Sequence, residues 1–297
     1  MIMNRNSFIL AGVLVVLVVA AYFLLQKQGE RDISVDAAQH FVTLDSSSVD
    51  QISIKSSSDS VLLKKLNGTW FIKNPISYKA NNAAVTEFLH TVKEMRIKSL
   101  ASSNVDKQSL FKVDSSGTLV TISENGNHDF SFYVGKTGQS YNDTYVRMAE
   151  SNNVMLVNAM LTYTVAKKVK DWRDKTIFAK PKESITEISY QYGDTTFTLV
   201  SSDHGWVIGK DSLQDKNVSG VISALSNFQA EDFLDTPTAA TKKIMAQISI
   251  GADQIRFAYD SAAKKYYVQT SDAQQWFIVE PWKANQILKR KKDFLKS

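Results

Sequence analysis

The 297-residue sequence contains no cysteine. That excludes disulfides and thiolate metal sites, and it is neutral about redox compartment. Histidine is scarce: His40, His90, His128 and His204 are all there is, with no HxH or HExxH spacing among them. A zinc-type site needs clustered donors, so no metal is expected. No GxSxG occurs, which removes the nucleophile elbow. Gly135-Lys136-Thr137 has the end of a phosphate loop without its beginning. The first glycine belongs at position 130, which is Phe in a strand-like run, and no helix pattern follows. GKTGQS is better read as a hairpin turn, and no cofactor is expected. Glu231-Asp232, Asp171 and Asp174 sit beside expected helix ends, where capping and solvated faces are the ordinary roles of acids. No catalytic set emerges, and the chain is read as a non-enzyme.

A surplus of one charge is also missing from most of the chain. The formal net charge is +5. From Lys283 to Ser297 there are six basic residues and one acid, so the last fifteen residues hold the whole excess. Nucleic-acid domains carry a basic face across the fold; here there is a basic tail, and no nucleic-acid partner is expected. Lys289, Arg290, Lys291 and Lys292 suit a solvated helix end, where cations complement the helix dipole, or contact with an acidic partner or anionic headgroups.

What is present is, first, an apolar run. FILAGVLVVLVVAAYFLL, residues 8–25, has no charge over eighteen residues. That length fits a membrane-spanning helix with Tyr22 near an interface. It exceeds the apolar region of a signal peptide and does not end in small residues. The expectation is a single-pass anchor in the cytoplasmic (inner) membrane of a bacterium, with the large domain outside (periplasmic).

Second, the chain repeats itself. NGTWFI (67–72) returns as HGWVI (204–208). At a shift of 136, Val49 meets Ile185, Ile52 meets Ile188, Trp70 meets Trp206, Val85 meets Val221 and Leu89 meets Leu225. Farther on, Ile122-Ser123 meets Ile248-Ser249, Tyr145-Val146 meets Tyr267-Val268, and Val157 meets Val279. The period is too long for a solenoid. Each copy opens with alternating stretches, QISIKSS, SVLLKKL and TWFIK, then EISYQY, TFTLV and GWVIG, which read as strands. Asn67-Gly68 marks a tight turn. Val85, Phe88, Leu89, Val92 and Met95 repeat at helical spacing after Asn81-Asn82, as do Val218, Val221, Ile222, Leu225 and Phe228. More strands follow, and a closing helix is expected at Ala159–Trp172 and at Pro281–Leu295, with Pro281 suited to a first helical position. The predicted class is α+β: an N-terminal transmembrane helix, then two homologous antiparallel-sheet-plus-helices domains. The expected organisation is a tail and anchor at 1–30, a juxtamembrane segment at 31–48, a first repeat at 49–178, a linker AKPKES at 179–184 and a second repeat at 185–297. Trp70 and Trp206 recur in register among apolar neighbours and read as core plugs. Arg147, within TYVRMA, shares a strand face with Tyr145 and reads as an exposed arginine or a partner contact.

The order of GTWFI, FKVDSSGTLVTI (111–122), FYVGKTGQSYNDTYVRM (132–148) and DWRDKTIF (171–178) resembles the bacterial family known as domain of unknown function 4340. The resemblance implies an anchored, uncharacterised protein with no established activity, in some cases associated with ABC-type transporters of the gliding-auxiliary kind. The functional expectation is a non-catalytic, membrane-anchored extracytoplasmic scaffold or accessory subunit, with ABC-type transporter subunits as partners. The alternative is an envelope module binding a glycan or lipid, which would expose Trp70 or Trp206 in an apolar pocket.

Overall fold

Alternation of apolar and polar residues is built into antiparallel sheet throughout. The computed structural model describes residues 14–22, 39–126, 128–193, 195–235, 242–271 and 275–295. The chain divides into two compact units, Met1–Trp172 and Arg173–Ser297.

In the first unit, helix α1 (14–22) stands ahead of β1 (Val49–Lys55), β2 (Ser60–Leu66), β3 (Thr69–Asn74) and β4 (Tyr78–Lys79). Then come α2 (Asn82–Glu94), β5 (Ile97–Ser102), α3 (Gln108–Phe111), β6 (Thr118–Glu124), β7 (His128–Thr137), β8 (Thr144–Met148), β9 (Val154–Val157) and α4 (Leu161–Val165). The strands form one nine-stranded sheet in the order β4-β3-β2-β1-β6-β7-β8-β9-β5. Every second residue faces one side, so Ile52, Ile54, Leu63, Ile72, Val120 and Ile122 share a buried face. Val85, Phe88, Leu89 and Val92 of α2 are buried in the same core. The Asn81 side chain starts that helix by accepting from the Ala84 amide. Asn67 and Gly68 both have positive φ, the requirement of a two-residue type I′ hairpin turn.

The second unit contains β10 (Thr176–Phe178), β11 (Glu187–Tyr192), β12 (Thr195–Ser202), β13 (Gly205–Ile208), β14 (Asp211–Ser212), α5 (Asp215–Leu225), β15 (Phe228–Gln229) and β16 (Asp232–Leu234). It continues with β17 (Ala246–Ile250), β18 (Asp253–Asp260), β19 (Lys265–Thr270), β20 (Trp276–Val279), α6 (Pro281–Ile287) and α7 (Lys291–Leu295). Its large sheet runs β14-β13-β12-β11-β17-β18-β19-β20-β16. Strand for strand this is the order of the first sheet. The registers agree too: Ile52 lies opposite Leu63, and Ile188 opposite Leu199. Two correspondences move. The opening helices set Val85 against Val218 rather than Val221, since Ala80 and Leu213 both donate to the recurring tryptophan's carbonyl and Asn81 and Gln214 are the two helix caps. Ile54 pairs with Val120 in the first sheet, and its counterpart Tyr190 pairs with Ile248 in the second. Ile248 is therefore the counterpart of Val120, two residues from the Ile122 that sequence matching selects. A slip of two keeps every side chain on its own face, so the apolar pattern does not register it.

Three expectations are corrected. The class is mostly β, dominated by the two large antiparallel sheets, rather than α+β with a transmembrane helix. Among the described residues no helix is long and apolar enough to cross a membrane. The described part of the apolar run, 14–22, is helical. The rest of the apolar run, 8–13 and 23–25, lies outside the described residues. The single-pass, inner-membrane and extracytoplasmic placement rested on that helix and is corrected with it. Third, the closing helices are short. α4 stops at Val165 and is followed by a 3-10 turn at Val169–Asp171, and Pro281–Leu295 is split into α6 and α7. The break has a local cause in both copies: a carboxylate three residues on accepts the backbone N–H that restarts the chain, Asp171 from Lys168 at 3.0 Å and Asp293 from Arg290 at 2.9 Å. Phe228, expected on the helix, is in β15.

Candidate functional site

Most residues with chemical potential hold the fold together. Gly135 on β7 has no room for a side chain: a Cβ there would run into the Phe111 carbonyl. Its glycine lets the loop around Phe111–Val113 lie directly on the strand. Phe111 packs on Tyr145 with ring centroids 4.6 Å apart, and the Lys136 ammonium stands 5.5 Å from the Phe111 ring. Under this loop lies Arg147, 7% exposed. Its Nε donates to the Val113 carbonyl at 2.8 Å, and Nη1 donates to Met148, Ala149 and Ser151 carbonyls at 3.1, 3.1 and 2.8 Å. The guanidinium also rests 4.6 Å from the centroid of Tyr133, its cross-strand neighbour. Arg147 is thus a buried brace rather than an exposed strand residue. Asp114 in the same loop accepts from the Ser116 hydroxyl and amide, which hold its carboxyl below the usual range.

DWRDKTIF is likewise structural. Trp172 is fully buried in the first unit, edge-on to Phe88 at 5.9 Å, and its carbonyl accepts from the Asn81 amide. Arg173 is buried in the second unit. It donates to both Asp235 carboxylate oxygens at 2.9 Å and to Gln275 at 2.8 Å, and lies 3.5 Å from the Phe233 ring centroid. Glu231 pairs with Lys283 and accepts from the Glu280 amide, and Asp174 accepts from the Thr176 amide. Among the described residues there is no group of three His, Cys, Asp or Glu placed to hold a metal ion. Trp70 is buried and Trp206 half-buried.

The basic tail proves to be a copy of a segment in the first unit. Val165 ends α4 and Ile287 ends α6; Lys167-Lys168 and Lys289-Arg290 follow; Asp171 and Asp293 make the same restart; Trp172 and Phe294 are both buried. Both last aromatic residues are also tied to the opening helix, by different groups. The Asn81 backbone amide donates to the Trp172 carbonyl in the first unit, and the Asn217 side chain, from three residues farther along the corresponding helix, donates to the Phe294 carbonyl at 3.2 Å. Lys289 is half-buried and Arg290, Lys291 and Lys292 are exposed. Arg290 lies over the Tyr192 ring at 3.7 Å, and Lys291 is 4.0 Å from Asp211. Sequence matching by apolar positions stopped short of these segments, although KKVKDW and KRKKDF could have extended it.

At this closing turn the copies differ. The second unit fills it with rings: Tyr190, Tyr192, Phe197 and Phe294, with Tyr190 stacked on Phe197 at 4.8 Å. The hydroxyls of Tyr190 and Tyr192 donate to the Ile287 and Lys289 carbonyls at 3.2 and 2.8 Å, pinning the chain where the helix breaks. Burial pushes both phenols upward. The first unit has Ile54, Ser56 and Val61 where the second has Tyr190, Tyr192 and Phe197. There a cavity of about 230 Å³ opens, with buried Ile54, Val61 and Val165 in its lining and exposed Ser58, Ala166 and Lys168 beside them. This cavity is a candidate site whose apolar lining the fold leaves uncovered, and sequence reasoning passed over it.

The family model for "Domain of unknown function (DUF4340)" matches residues 70–247, from β3 of the first unit to β17 of the second. No curated protein and no solved structure matches the chain.

Proposed function

The chain belongs to the DUF4340 family, and on that premise we propose that it is a non-catalytic scaffold or accessory subunit of a larger assembly, with ABC-type transporter subunits as its partners. One observation carries the reading. The two arginines of the family-like motifs, Arg147 and Arg173, are spent on internal hydrogen bonds that rigidify two sheets. Motifs that build a rigid surface suit a protein whose work is to present it. Lys292 and the exposed face of the closing turn remain available for a partner. The test is affinity purification of the full-length chain from its native cells in mild detergent, with mass spectrometry of what accompanies it. Reproducible recovery of ABC-type permease or ATPase subunits is expected. Recovery of the chain alone, in repeated preparations, overturns the reading.

A further inference from the structure

The second unit holds, within its own chain, a picture of what the first unit's cavity takes. Tyr192 ends β11 and lies opposite Thr195. Ser56 follows β1 and bonds to Asp59 in the same cross-strand place, its amide donating to the Asp59 carbonyl at 2.9 Å. The two residues are therefore equivalent, and a phenol stands in one copy where a hydroxymethyl stands in the other. In the second unit that phenol is recognised three ways. Its ring packs beside Phe197, its hydroxyl donates to the Lys289 carbonyl, and the Arg290 guanidinium covers its face. In the first unit the matching groups are Val61, the Lys167 carbonyl and Lys168, and all three residues line the cavity.

We propose that this cavity is a receptor for a phenol ring, the side-chain chemistry of tyrosine. The ring lies on Ile54, Val61 and Val165; its hydroxyl donates to the Lys167 carbonyl; and the Lys168 ammonium sits over its face. Size allows it: the cavity is about 230 Å³, and an apolar cavity of about 150 Å³ already holds benzene. The polar lining, Ser58 and Thr118, favours a ring with a hydroxyl over a bare hydrocarbon. The inference concerns a site in the first unit alone and stands independently of the accessory-subunit reading.

The probe is 4-methylphenol, titrated into the full chain carrying labelled isoleucine and valine methyls and followed by NMR, with toluene and N-acetyl-tyrosinamide as the comparison arms. Saturable shifts at Ile54, Val61 and Val165 are expected. Toluene should bind about tenfold more weakly, the worth of one retained hydrogen bond. Binding of both phenols identifies a tyrosine of another polypeptide as an accessible source; binding of 4-methylphenol without the amide identifies a free phenol. Ser56→Tyr, which recreates the second unit's own arrangement, should abolish the shifts. Should that variant fail to fold, Val61→Phe fills the same space. Equal binding of toluene overturns the proposal, as does a phenol that shifts none of these methyls or one that still binds the filled variants.

Discussion

At the scale of single residues, Arg147 shows what strand alternation can and cannot say. Alternation places it on the face of Tyr145, which reads as exposed. The structure covers that face with the loop that carries Phe111 and Val113, and the loop is there because Gly135 admits its backbone. Nothing in the spacing of TYVRMA announces a loop arriving from 34 residues away. Once buried, the guanidinium donates to four carbonyls, so its removal leaves acceptors without donors. Arg147→Met is expected to destabilise the first unit by about 2–4 kcal/mol, measured by urea unfolding. A loss below about 0.5 kcal/mol, the range of an ordinary surface substitution, would contradict the brace.

At the scale of elements, the strands and the two longer helices were legible, because period-two and helical spacing each leave a clear trace. The closing segments were not. Their apolar residues suit one long helix, and the break comes from Asp171 and Asp293, which recapture a backbone N–H three residues back. Carboxylates that cap and carboxylates that merely face water look the same in a sequence. The slip between Ile122 and Val120 was hidden for a related reason, since both are apolar and both face inward. The break in the second unit gives a pH prediction. Unfolded tyrosine ionises near pH 10, while burial raises the folded pKa of Tyr190 and Tyr192 above that. Above about pH 10 the unfolded state therefore binds fewer protons than the folded one. Stability is complete below that pH and falls as pH rises through it. The second unit should lose urea resistance between neutral pH and about pH 11, and Tyr192→Phe should lose less over the same interval. An equal loss in both proteins would remove the phenols as the cause.

At the scale of the whole molecule, the duplication was visible in the recurring tryptophans, but the place where the units part was not. A polar, proline-bearing stretch at 179–184 looks like a linker. Yet Thr176–Phe178 pairs with β15, and Arg173 is already buried with Asp235 and Gln275. Backbone pairing of a three-residue strand has no sequence signature of its own. Fragments cut between Trp172 and Arg173 are expected to fold separately, each with dispersed NMR spectra and a cooperative melt. A second fragment beginning at residue 179 should melt at a markedly lower temperature, because it forfeits β10 and the Arg173 contacts; an identical melt would place the boundary at the polar stretch after all. The paired closing turns also record descent. Asp171 and Asp293 still do the same job, as a turn inherited from one doubled segment would. From then on one copy could drift without risk to the other's fold. The tyrosine at one end and the serine at the other mark where the two lineages within a single polypeptide took different trades, and restoring either state in both units would reconstruct, in the laboratory, the choice that history made between them.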